Sequence, residues 1–178
     1  GTSFLCDADV RCLCTVLLHL RSLRLQRCPA LTDEAFTRCV SLSRLAALDL
    51  SYLSKKLDGS FLGMFTLAPL LSLTLDGLVL KSSPLPPSEL KAFDRMSKKD
   101  RTESENKRRP SWETAFVAMQ YTTFRKLTSC SMRSCPHLTS ADVLYLLGRL
   151  VNCNILDITD SGQSFPASLS PPHLHNPH

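Results

Sequence analysis

Eight cysteines and five histidines are the residues of this chain most able to do chemistry. The stretch LRLQRCPALTDEAF, Leu23 to Phe36, sets Cys28 beside Pro29 and shortly before Thr32, Asp33 and Glu34. Read alone, it suggests a metal ligand or a nucleophile flanked by acids. The rest of the chain lacks the partners either role needs. Structural zinc takes paired ligands at short spacing, yet no Cys-x-x-Cys occurs, and Cys12-x-Cys14 and Cys130-x4-Cys135 have no matching pair downstream. Three of the histidines (His173, His175, His178) fall in the terminal SLSPPHLHNPH, which reads as a flexible tail without rigid ligand geometry. His19 closes a helical segment and His137 sits in a turn, and neither has a nucleophile or acid at a recognisable spacing. The phosphate-binding, dinucleotide-binding, nucleophile-elbow and zinc-protease patterns are all missing. The expectation is a chain without catalysis, metal, cofactor or small-molecule substrate.

The elements that carry these residues form a repeat. Leu20, Leu23, Leu25 and Cys28 follow the spacing L-x-x-L-x-L-x-x-C. Leu45, Leu48, Leu50 and Leu53 repeat it one period on, and Leu70, Leu73, Leu75 and Leu78 repeat it at the same interval again. Leu127, Cys130, Met132 and Cys135 match further along, and Cys153, Leu156, Ile158 and Ser161 make a weaker copy one period later. Such periodicity marks stacked units rather than isolated motifs. In x-L-x-L the two apolar residues share one face of a short strand, because strand side chains alternate. The Cys/Leu position then turns back under the core, which makes Cys28 a buried residue.

A helix is expected to return the chain in each unit. After Cys28, Thr32 is its N-cap, Asp33 and Glu34 its acidic first turn, and Ala35, Phe36, Cys39, Val40 and Leu42 its apolar stripe. After Cys135, Thr139 or Ser140 caps, and Val143, Leu144, Leu146, Leu147 and Leu150 form the stripe. Residues 1–19 align with that later helix and read as an N-terminal capping helix. One unit cannot bury its own apolar edge, so the units stack with parallel strands on one face and helices on the other.

The pattern resembles the leucine-rich repeat family, in particular its cysteine-containing subclass found in F-box substrate receptors. LRSLRLQRCPALTDEAF (Leu20–Phe36) matches the L-x-x-L-x-L-x-x-C-x-x-L/I-T-D consensus almost throughout, and LTSCSMRSCPHLTSADV (Leu127–Val143) matches with Ser140 for the Asp. The resemblance implies an α/β fold, a short right-handed solenoid of five strand–turn–helix units, each of roughly 25–26 residues. Units 1–3 would occupy residues 20–80 and units 4–5 residues 127–161, with a tail over 162–178.

Between them the ladder stops. The step from Leu70 to Leu127 is one period plus an insertion of about 32 residues. Over 81–126 a Pro-rich turn and a short helix capped by Ser88 lead into a charged loop, Ser97–Ser111, before WETAFVAMQYTTFRKL resumes a helix. Residues 89–109 hold eight Lys/Arg and five Asp/Glu, which places +3 of the chain's +5 there. Elsewhere the chain is nearly neutral, so no basic face runs along it as nucleic-acid binding would favour. Lys98, Lys99, Lys107, Arg108 and Arg109 are the candidate docking residues of the insertion, for an acidic protein or for RNA backbone.

Apolar residues make up 43% of the chain, yet no stretch reaches the roughly 20 needed to span a bilayer. CLCTVLLHL (Cys12–Leu20) is too short, and no basic segment leads it as in a signal peptide. Cysteines lying within apolar periodic segments point to buried free thiols in a reducing intracellular compartment, with cytoplasm, nucleus and mitochondrial matrix not distinguished.

What can meet a partner is the polar side of the strands. One column reads Arg24, Asp49, Thr74, Ser131, Asp157, and just beyond lie Gln26, Arg27, Tyr52, Asp76 and Arg133. Arginine and tyrosine carry interface energy, so a protein partner is expected at Arg24, Gln26, Arg27, Asp49, Tyr52, Thr74, Asp76, Arg133 and Asp157. The expected function is a protein-interaction scaffold, an accessory subunit of a larger complex. The alternatives are the recognition module of a ubiquitin-ligase receptor, which the resemblance implies, and a ribonucleoprotein component contacting RNA through 98–109. Only the capping helix precedes the first expected strand, and it is too short for an F-box, which favours the accessory subunit.

Overall fold

Each Leu-x-Leu segment is extended, and the five strands lie side by side in chain order. The computed structural model describes residues 5–53, 57–80, 112–119 and 121–161. Strands β1 (Ser22–Arg24), β2 (Ala47–Asp49), β3 (Ser72–Thr74), β4 (Ser129–Ser131) and β5 (Ile155–Asp157) form one open, all-parallel sheet in the order β1-β2-β3-β4-β5. The register follows the sequence period: Leu23 pairs with Leu48, Leu48 with Leu73, Leu73 with Cys130 and Cys130 with Leu156. β3 and β4 are direct neighbours although the whole insertion lies between them in the sequence.

The ladder continues one step past each strand. Leu25, Leu50, Leu75 and Met132 donate their amides to the carbonyls of Asp49, Thr74, Ser131 and Asp157 at 2.7–2.9 Å. Their side chains are buried, as are those of Leu23, Leu48, Leu73 and Cys130. Burying a leucine stabilises by about 1.5–3 kcal/mol, so this double row accounts for the spacing in the sequence. Leu53, Leu78 and Cys135 are also buried after the turn. Cys28, expected with them, is only half-buried, and its thiol donates to the Gln26 carbonyl at 3.4 Å.

The second layer is mixed. Helix α1 spans Asp7–Val16, α2 Trp112–Ala118, α3 Tyr121–Phe124 and α4 Ser140–Leu147. The segment after Cys28, expected as one α-helix, is instead two short 3-10 helices, Asp33–Phe36 and Cys39–Ser41. Thr32 does cap the first, its hydroxyl accepting from the Glu34 amide at 3.3 Å. Then the Thr37 and Ser41 hydroxyls bond the carbonyls of Glu34 and Arg38, so side chains compete for acceptors a continuous helix would use. Val40 consequently turns outward at 44% exposure, while Phe36, Cys39 and Leu42 are buried. A third 3-10 helix, Ser60–Phe65, brings Phe61 against Phe36 with ring centroids 4.7 Å apart.

Carboxylates stitch neighbouring return segments together at the repeat spacing. The Asp7 carboxylate accepts from the Thr32 amide (2.8 Å) and hydroxyl (2.6 Å), and Asp33 accepts from the Asp58 amide. α4 starts with a capping box in which Thr139 is the N-cap and Asp142 reaches back to its amide and hydroxyl. Val143, Leu146 and Leu150 face the core, but Leu144 and Leu147, expected in the same stripe, are more than half exposed. Nothing packs on them from beyond β5 among the described residues.

Candidate partner-binding face

The side chains of the polar column alternate away from the core, and the structure sorts them by how far their charge is already spent. Asp49 accepts from the Ser51 hydroxyl (2.6 Å) and amide (3.1 Å) through one oxygen and from the Gln26 amide group through the other. Asp157 accepts from the Thr159 hydroxyl (2.8 Å) and amide (3.0 Å), and its other oxygen lies 3.7 Å from Arg133 Nε.

Asp76, expected as a partner contact, is 3% exposed. One of its oxygens accepts from the Ser131 hydroxyl (2.6 Å) and the Arg133 amide (2.9 Å). The other accepts from Arg133 Nε (3.0 Å) and Nη2 (2.9 Å). Burial pushes this carboxyl up, but the Ser131 and Arg133 bonds and the guanidinium charge overcome it and hold it below the usual carboxylate value. Asp76 therefore ties β3 to β4 and is withdrawn from the surface. Arg133 keeps half of its side chain in solvent while serving as that tie.

Arg24 and Arg27 stand differently. Both are exposed, and neither has an anionic partner among the described residues. Arg27 lies over the Tyr52 ring, its guanidinium carbon 5.6 Å from the centroid. Tyr52 in turn lies across Gly77, where a Cβ would come within 2.3 Å of the ring. Arg24, Asp49 and Thr74, with Ser22, Ala47 and Ser72 below them, line a shallow depression of about 70 Å³ across β1–β3.

A row of left-handed turns also runs along this face. Arg27, Tyr52, Gly77, Ser134 and Asp160, placed alike past each strand, all take left-handed backbone with φ between 51° and 62°. The row has the repeat spacing, and Gly77 is the one position where residue type signals it. The left-handed turn lets each chain leave its strand while Arg27, Tyr52, Gly77 and Ser134 still donate to Ser51, Asp76, Arg133 and Thr159 of the next.

The cysteines divide as well. Cys14, Cys39, Cys130 and Cys135 are buried and Cys153 is half-buried, but Cys6 and Cys12, expected inside, are exposed because α1 turns only Val10 and Cys14 to the core. Burial pushes the Cys130 and Cys135 thiols up to about 12. His19 and His137 are exposed. Among the described residues no three His, Cys, Asp or Glu converge as a metal site would require, and no helix there is long and apolar enough to cross a membrane. Lys98, Lys99, Lys107, Arg108 and Arg109, Ser88 and its helix, and the three tail histidines lie outside the described residues. Comparison with family models, with curated proteins and with solved structures finds no match to this chain.

Proposed function

We propose that this chain is a non-catalytic protein–protein interaction scaffold, a short right-handed leucine-rich-repeat solenoid that serves as an accessory subunit of a larger complex. The five-stranded parallel sheet at the sequence period supports the solenoid reading. The observation that carries the interaction reading is the imbalance of charge on the polar face. Its carboxylates Asp49, Asp76 and Asp157 are bonded within the face, whereas Arg24 and Arg27 have no anionic partner among the described residues. The β1–β2 end therefore sets two arginines against the single charge of Asp49, which its neutral donors leave in place, and the partner it fits is a protein segment bearing carboxylates. A nucleic-acid backbone fits less well, since Arg24 and Arg27 make a two-residue patch at one end of the sheet and not a basic stripe along it. Eight thiols without a disulfide support residence in a reducing compartment inside the cell.

Capture from native extract followed by mass spectrometry tests this, with the whole chain as bait in three forms. Arg24→Glu/Arg27→Glu is expected to lose a protein complex held by the wild type, with recovery falling tenfold or more. Arg44→Glu, an exposed arginine outside the polar face, is expected to retain it. Recovery that is the same for all three forms would count against the strand face as the partner site.

A further inference from the structure

We infer that Cys14 and Cys39 form a covalent modification site. They close to an intramolecular disulfide when the chain meets a small-molecule disulfide of the glutathione class, and this latches helix α1 to the return segment of the next unit. The two Sγ atoms are 3.1 Å apart, and each residue is 1% exposed. A disulfide bond is about 2.05 Å long, so about 1 Å of approach closes it. The two positions are one repeat period apart and therefore occupy corresponding places in adjacent units. The Ser41 hydroxyl lies 3.0 Å from the Cys14 carbonyl and shares its one proton between that carbonyl and the Arg38 carbonyl, so it bridges the backbones at the contact.

Among the described residues no other cysteine pair makes such a sulfur–sulfur contact: the thiols of Cys28, Cys135 and Cys153 donate to the carbonyls of Gln26, Leu75 and Ile155. The two thiols share one hydrogen bond, and either can be its donor.

Access to the buried pair comes from the helix that covers it. α1 buries only Val10 and Cys14, and Leu13 and Val16 remain exposed on it. A helix with so little buried surface opens at lower cost than the whole domain. In the open state the Cys14 thiolate attacks one sulfur of the oxidant, forms a mixed disulfide and releases one small-molecule thiolate. As α1 swings back and before it seats, the Cys39 thiolate attacks the Cys14 sulfur and expels the second small-molecule thiolate, after which the linked helix docks. Two protein thiols have then lost two electrons and two protons, and one small-molecule disulfide has become two thiols. Exposed Cys6 and Cys12 have no such second thiol in contact and stop at the mixed disulfide.

The experiment exposes the folded, reduced chain to oxidised glutathione, blocks remaining thiols and maps peptides without reduction. The expected result is one dominant internal link, Cys14–Cys39, with glutathione adducts at Cys6 and Cys12. The melting temperature is expected to rise by roughly 5–10 °C, because a cross-link of this loop length restricts the unfolded chain, and to fall back on adding a thiol reductant. Cys12→Ala should keep the link. Should Cys6 and Cys12 react while Cys14 and Cys39 stay free thiols, the proposal fails. It also fails if Cys39 links as readily to Cys6 or Cys12. The mapping is made on the wild-type chain, so the answer does not depend on a core-cysteine variant folding.

Discussion

A carboxylate with four bonds to one neighbouring strand, at 3% exposure, is a structural tie before it is anything else, and Asp76 is one. Its surroundings prefer the charged form more strongly than the unfolded chain does, so its folded pKa lies below the ordinary 3.8. A depressed carboxyl adds stability above the unfolded-state pKa, and that contribution disappears as pH falls through the folded one. Asp76→Asn is therefore expected to lower stability by about 1–3 kcal/mol at neutral pH. The cost stays at this level because Arg133, half in solvent, keeps its hydration when the partner is lost. Urea unfolding of both forms from pH 7 down to pH 2 checks this: the gap should hold near neutrality and narrow below about pH 4. A gap that stays constant over the whole range would assign the effect to packing instead of charge.

At the scale of the element, the left-handed row past the strands shows what sequence can and cannot reveal. Gly77→Ala places a methyl within 2.3 Å of the Tyr52 ring at a φ of +62°. The expected cost is about 1–3 kcal/mol for strained backbone plus the displaced ring. In a Tyr52→Ala background only the backbone part remains, about 1 kcal/mol, so a double-mutant cycle by urea unfolding should show clear coupling. Additive effects would mean that the ring moves aside freely. The strands were legible because a strand is specified by burial, and Leu23, Leu48 and Leu73 announce it by spacing alone. The left-handed turns were not, because Arg27, Tyr52, Ser134 and Asp160 adopt them in a row built by ladder bonds between neighbouring strands, a tertiary cause. The 3-10 geometry of Asp33–Ser41 was hidden for a related reason: Val40 has helical spacing, but Thr37 and Ser41 take the carbonyls that would continue the helix. Of the candidate face, position was legible and availability was not. Asp76 and Arg24 both lie on the polar side, and only the bonds of the folded chain separate a spent charge from a free one.

For the whole molecule the governing fact is that each strand leans on its neighbours in sequence order, so position in the stack should decide what a core residue is worth. Leu73 is 2% exposed between β2 and β4, with Leu48 and Cys130 beside it in register. Leu156 holds the same position in β5 but pairs on one side only among the described residues and is half-buried. Beyond it, Val151 and Ile155 are mostly exposed, so little covers that end among the described residues. Leu73→Ala should cost about 2–5 kcal/mol, as a cavity between two fixed walls does. Leu156→Ala should cost well under half of that, because less surface is lost and the end strand can settle. Native-state hydrogen exchange should follow the same order. Amides donated between β2 and β3, such as Leu50, should open only with global unfolding, and those donated to β5, such as Met132, should open earlier. Equal costs at Leu73 and Leu156, with uniform protection across the sheet, would show that the five strands fold as one indivisible unit rather than as a stack with a weaker end.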